Sequence, residues 1–167
     1  QLEYRVRVGG FWQTHVMGAE VLANAVMGVA CLSEGDRVME LYSGAGLFSV
    51  PMAKAVGARG HVVTLEGSAG AVEDAGENCA PFDWVEPYVG NVDAEGVREL
   101  VAGLEGRPDV IVLDPPRAGA GREVTEAIAQ CGASKIVLVS CDPAAGARDM
   151  RLLTEAGYEL ASLNAWD

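Results

Sequence analysis

Several side chains in this sequence follow a short apolar run and can do chemistry there: Tyr42, Glu66, Asn91, Asp114 and Cys141. Cys141 precedes Asp142-Pro143 and a helix-like stretch. A thiol at a helix N-terminus can have its pKa lowered, giving a thiolate nucleophile, though cysteine is also often an inert core residue. Asp142 reads as the cap of that helix, with orienting whatever the thiol attacks as the alternative. Asp114 is followed by Pro115-Pro116. Two prolines cannot extend a central strand, so the backbone turns rigidly and presents the carboxylate to whatever lies next to it. Unpaired charge in an interior is costly, so packing alone would not retain Asp114; an ordinary turn is the plain alternative.

A ligand site is suggested further upstream by Val38-Met39-Glu40-Leu41-Tyr42-Ser43-Gly44-Ala45-Gly46-Leu47-Phe48. It reads as a strand, a glycine turn and the start of a helix. Gly44 and Gly46 let a ligand approach backbone that a Cβ would block. A dinucleotide fingerprint wants a third glycine, where this chain has Ser49. A ligand without phosphates does not need the helix dipole, and Glu40 suits the ammonium of a methionyl group. The turn therefore points to S-adenosylmethionine (SAM), with a plain strand-to-helix turn as the alternative. Glu66, about 20 residues on, can accept hydrogen bonds from both ribose hydroxyls, or can simply face the dipole of the next helix. Asn91 suits an adenine edge or an Asx turn.

These residues need a frame, and alternating periodicities supply one. Leu2 to Val8 alternates as a half-buried strand, and Val16 to Ala30 reads as a helix after the loop Phe11-Trp12-Gln13-Thr14-His15. Strands follow at Arg37–Leu41, His61–Leu65, Pro87–Val89, Asp109–Leu113 and Lys135–Ser140. Their helices are expected at 47–56, 69–78, after the lead-in Gly90-Asn91-Val92-Asp93 through Leu104, 122–130 and 144–156, and a last strand from Tyr158. Strand and helix alternation implies an α/β fold, a doubly wound and mostly parallel sheet whose ligands sit beyond the strands' carboxyl ends. The expected organisation is one domain over residues 1–167, with a lead-in strand and helix over 1–31 and a Rossmann-like core over 32–167.

At 167 residues and half hydrophobic, the chain has enough material for one buried core. No apolar run reaches the ~20 residues of a membrane span, so no membrane partner is expected. A net charge of −12 argues against a broad phosphate-binding surface. The four cysteines, Cys31, Cys79, Cys131 and Cys141, have no CxxC pairing or metal spacing, and no signal peptide precedes them. A reducing cytoplasm and no metal are the expectation, with Cys31, Cys79 and Cys131 as core residues. The abrupt beginning without Met looks like a piece of a longer protein.

Phe11-Trp12-Gln13, Glu40 to Phe48, Asp114-Pro115-Pro116-Arg117-Ala118-Gly119 and Val139-Ser140-Cys141-Asp142-Pro143 occur in that order. Together they resemble the RNA uracil-5-methyltransferase family, over nearly the whole chain. The resemblance implies a class I SAM-dependent methyltransferase fold and 5-methyluridine formation in tRNA or rRNA. It puts Gln13, Tyr42, Glu66, Asn91 and Asp114 at SAM-contacting positions and Cys141 at the nucleophile's. It also implies a Glu base in a His-rich Phe-Pro motif just beyond Asp167, an antiparallel C-terminal hairpin of which this chain holds only half, and RNA-gripping parts outside it. Strand five would then keep an open edge, and the stretch alone would bind SAM without turning over. Ser43 and Leu47 depart from relatives that carry Cys and Asn there.

Other readings remain open. An N-methyltransferase would want an aromatic residue where Arg117 stands, and would leave Cys141 idle. A nicotinamide-dependent oxidoreductase would want the third glycine. A non-catalytic SAM-binding or scaffold module would not need the thiol.

Overall fold

The structure, a computed structural model, describes residues 2–166; Gln1 and Asp167, the ends of the expected domain, lie outside the described residues. Five parallel strands form one sheet in the order β3-β2-β1-β4-β5. They are β1 (Arg37–Leu41), β2 (His61–Glu66), β3 (Val85–Val89), β4 (Val110–Leu113) and β5 (Lys135–Leu138). The helices are α1 (Gly18–Ala30), α2 (Ser49–Val56), α3 (Ala69–Cys79), α4 (Ala94–Gly103), α5 (Gly121–Gln130) and α6 (Pro143–Glu155). β1 and β4 are apolar almost throughout because helices cover both faces of a parallel sheet.

The period-2 pleat divides the core. Val38, Val62, Val110, Val112 and Val137 face α1 and α2. Met39, Leu41, Val63, Ile111 and Leu113 face the other way, onto α4, α5 and α6. Glu40 shares the first of these faces, a carboxylate inside a wall of aliphatic side chains.

The chain differs from its sequence reading at both ends. Residues 2–8 have the expected alternating burial, with Leu2, Tyr4 and Val6 turned inward, but they form no strand. Their backbone groups meet side chains of α3 instead: Arg5 N–H donates to Asn78 Oδ1 (2.8 Å), Asn78 Nδ2 to Arg5 O (2.9 Å), and Arg7 N–H to Asp74 Oδ2 (3.0 Å). An amide and a carboxylate one helical turn apart thus do the work of a neighbouring strand.

The strand expected from Tyr158 is likewise absent. Tyr158 closes α6, its N–H donating to Leu153 O, and residues 159–166 carry no regular element. A strand needs a ladder partner, and β5 pairs only with β4 among the described residues. The open edge expected of strand five is therefore present. Cys31 also departs from expectation: it is exposed, in a left-handed conformation (φ 46°), and ends α1. Cys79 is buried and Cys131 is intermediate, as core readings require.

Candidate functional site

The sheet's register sets the chemistry-bearing residues in a row. Leu41 pairs with Leu65 on one side and Leu113 on the other, and Leu113 pairs with Leu138. Tyr42, Glu66, Asp114 and Val139 are therefore the next residues at one level on four adjacent strands. Backbone bonds carry the ladder past the strand ends: Tyr42 N–H donates to Leu65 O (2.9 Å), Gly90 N–H to Glu66 O (3.0 Å) and Val139 N–H to Leu113 O (2.9 Å). Along the carboxyl edge the order is Asn91, Glu66, Tyr42, Asp114, Cys141, at roughly 4.8 Å per strand. β1 and β4 sit side by side where the winding reverses direction, the place at which such sheets open a crevice.

Backbone strain concentrates in the turn after β1. Tyr42 has φ 60°, a left-handed conformation that a bulky residue adopts only when its surroundings enforce it. Gly44 (φ 54°) and Gly46 (φ 88°) share that region without penalty. A Cβ built on Gly44 would meet nothing within 4 Å, so the space beside this backbone is open to a ligand. Glu66 is fastened to the same turn. Its Oε2 accepts from Gly44 N–H (3.1 Å) and its Oε1 from Ser68 N–H (2.8 Å), leaving lone pairs directed outward. Ser68, rather than Glu66, caps α3.

Glu40 lies beneath the turn, 1% exposed. Ser49 Oγ donates to its Oε2 (2.5 Å), and its Oε1 has no partner among the described residues. Burial is the main cause that pushes this carboxyl up to about 8, and the nearby Asp114 and Glu66 carboxylates add to it. A buried oxygen without a donor is costly and is relieved by a proton or a cation. Asp114 is half-buried and is pushed up to about 6 by desolvation. Burial also raises the Tyr42 hydroxyl, with Asp149's charge adding.

Cys141 is exposed, one residue before the cap of α6. Asp142 is that cap, its Oδ1 accepting from Ala145 N–H (2.9 Å), as expected. Ser140 Oγ turns back to Asp142 O (2.9 Å). This tight passage needs Gly146, since a Cβ there would come within 2.9 Å of Ser140 Oγ. Asn91 is exposed after β3, and the Asx geometry in this loop belongs to Asp93, which caps α4 through Glu95 and Gly96 N–H.

Gln13, Tyr42, Gly44, Glu66, Asn91, Asp114 and Cys141 line one hollow of about 1990 Å³. Glu40 and Gly46 do not; they support its floor from below. A second hollow of about 400 Å³ beside Tyr88, Asp93 and Glu99 touches the row only at Asn91. The floor is suited to a ligand with a cationic head and hydroxyls, because its fixed groups are carboxylates and the backbone approach at Gly44 is open.

Several supports carry no signal in the sequence. Ser49, which stands where a dinucleotide fingerprint would have its third glycine, donates the hydrogen bond to Glu40. Asn78 Nδ2 donates to Ala45 O (2.9 Å) as well as to Arg5 O, and Tyr4 Oη donates to Leu47 O (2.9 Å). Asn78 thus bridges the lead-in segment and the glycine turn, and Tyr4 reaches the end of that turn directly. Gly146, a lone glycine inside a helical pattern, was a readable hint of close approach.

No family model matches the chain. It is 44% identical over 164 residues, 98% of its length, to a protein of Streptomyces avermitilis named as an uncharacterized RNA methyltransferase. It is 34% identical over 157 residues, 94% of its length, to a 23S rRNA (uracil(1939)-C(5))-methyltransferase of Acinetobacter baumannii. The chain spans 37% and 34% of those two proteins. Among solved structures, precorrin 8W decarboxylase of Methanobacterium thermoautotrophicum superposes with a TM-score of 0.74 at 15% identity, over 93% of this chain and 79% of that one. Aeropyrum pernix fibrillarin with natively bound S-adenosyl-L-methionine gives 0.63 at 19% identity, over 86% and 66%. At such identities the likeness establishes the fold, which is that of class I SAM-dependent methyltransferases.

Proposed function

The chain is homologous over nearly its whole length to RNA methyltransferases, 23S rRNA uracil-C5 enzymes among them, and from that premise we propose that it transfers a methyl group from SAM to carbon 5 of a uridine in ribosomal RNA. The observation that carries this reading is the row along the sheet edge, with carboxylates and an open glycine backbone at one end and an exposed thiol at the other. Asn91 would meet the adenine, Glu66 the ribose hydroxyls, and Gln13, Tyr42 and Gly44 the methionyl portion. Glu40, protonated beneath the turn in the unliganded chain, supplies negative charge there once a bound cationic head releases its proton. When bound, SAM supplies an electrophilic methyl group on a sulfonium.

The chain's own residues account for the activation of the uracil. Carbon 5 is too weak a nucleophile to accept a methyl group unaided. The Cys141 thiolate adds to carbon 6, and the displaced π electrons make the ring enolate-like at carbon 5. Asp114 lies between Tyr42 and Cys141 in the row and orients the ring. After methylation a base removes the carbon-5 proton, and the returning electron pair expels the thiolate. That base is proposed to be the Glu the family resemblance implies beyond Asp167. The net charge of −12 supports the proposal that the grip on RNA comes from parts of the protein outside this stretch.

Two measurements test the reading. RNA carrying 5-fluorouridine at the target traps the adduct, because fluorine cannot leave carbon 5 as a proton does. The intact protein is expected to give an SDS-stable RNA conjugate and Cys141→Ala none; a conjugate from the Ala variant would remove Cys141 from its role. Calorimetry with S-adenosylhomocysteine is expected to show binding that Glu66→Ala weakens at least tenfold, about 1.4 kcal/mol.

A further inference from the structure

Helix α5 begins without a cap of its own, since Ala120 at the capping position has no side-chain acceptor. The missing acceptor comes from α6. Asp149 is 1% exposed, and its Oδ2 accepts from Ala120 N–H (2.7 Å) while its Oδ1 accepts weakly from Gly121 N–H (3.4 Å). Arg148 closes the arrangement: its Nε (3.0 Å) and Nη2 (2.8 Å) donate to Asp149 Oδ1, and Nη2 also donates to Ala118 O (2.7 Å). Gly119 passes so close to this pair, at φ 78°, that a Cβ there would lie 2.5 Å from Asp149 Oδ2 and would collide with the Arg148 guanidinium.

A fold that needed only a capped helix would place Ser, Thr or Asp at residue 120, at no burial cost. This chain instead buries a carboxylate two turns into another helix, and burial of a charge is unfavourable unless every partner is in place. What the remote acceptor adds is a distance. The loop it holds, 117–121, continues directly from Asp114-Pro115-Pro116, and the helix that holds it begins beside Cys141. We propose that Arg148 and Asp149 are positioning residues that clasp the Asp114 loop to the helix of Cys141, so that carboxylate and thiol move as one body. The proposal rests on the uracil-methylation reading, in which these two groups address the same ring.

The test uses the intact protein, Asp149→Asn and Arg148→Lys, with three readouts: the rate of conjugate formation with 5-fluorouridine RNA, the Kd for S-adenosylhomocysteine, and Tm. Asp149→Asn is expected to slow conjugate formation at least tenfold while the Kd stays within threefold of wild type. Arg148→Lys, at a side chain 42% exposed, keeps the charge but loses the forked contact and is expected to slow it three- to tenfold at unchanged Kd. Should Asp149→Asn fail to fold, the Arg148→Lys result decides. Rates within twofold of wild type overturn the clasp, as does a parallel loss of rate and cofactor affinity, which would mean general loosening. A wild-type protein that forms no conjugate would instead overturn the functional reading, so the two failures are separable.

Discussion

Glu40 separates what residue types announce from what burial does to them. Its acidity beside a glycine turn was legible in the sequence, and so was the company of Gly44 and Gly46. Its depth was not, because alternation within a buried parallel strand cannot say which polar residue lies under a helix. The carboxyl, pushed up to about 8, binds its proton more tightly in the folded chain than in the unfolded one. Its contribution to stability is therefore greatest below the unfolded pKa near 4.5 and is lost as pH rises towards 8. Asp114, raised to about 6, acts in the same direction over a lower range, so pH 6 to 8 isolates Glu40. In denaturant titrations the unliganded wild type is expected to lose stability across that window, with a ceiling of about 1.4 kcal/mol per pH unit. Glu40→Gln should flatten the curve there, and an unchanged slope would mean that another group is responsible.

Among the elements, the five strands and six helices were legible to within a few residues, because period and punctuation agree at nearly every one. The ends of the chain were read less well. Residues 2–8 carry a strand's alternation but not a strand's partner, and periodicity reports only which side chains turn inward. Asn78 and Asp74 could not be foreseen as that partner, since polar residues on a helix ordinarily face solvent. Asn78 is the more informative of the two, bridging Arg5 and Ala45 O. Asn78→Ala is expected to destabilise the chain by about 0.5–1.5 kcal/mol, the net range for hydrogen bonds whose freed partners water can reach. It should also weaken S-adenosylhomocysteine about tenfold by releasing the glycine turn. A Tm loss with unaltered ligand affinity would restrict Asn78 to holding the lead-in segment.

For the whole molecule, the fold class followed from alternation, and the sheet's order could not. Only the structure shows that β1 lies between β2 and β4, which turns scattered residues into a single row. The charge balance was plain from composition: with a net charge of −12, residues 1–167 alone should bind RNA more weakly than the roughly 10⁻⁴ to 10⁻⁶ M typical of non-specific nucleic-acid binders at physiological salt. Filter binding checks this, and retention at micromolar RNA would locate the grip within this stretch. The position of β1 also has a genealogical side. Everything proposed to touch the adenosine lies before residue 92, and everything proposed to touch the base lies after residue 113, with the boundary falling between adjacent strands. Exchanging the second half for a new target would leave every proposed adenosine contact in place, and the seam for such an exchange is the β1–β4 ladder.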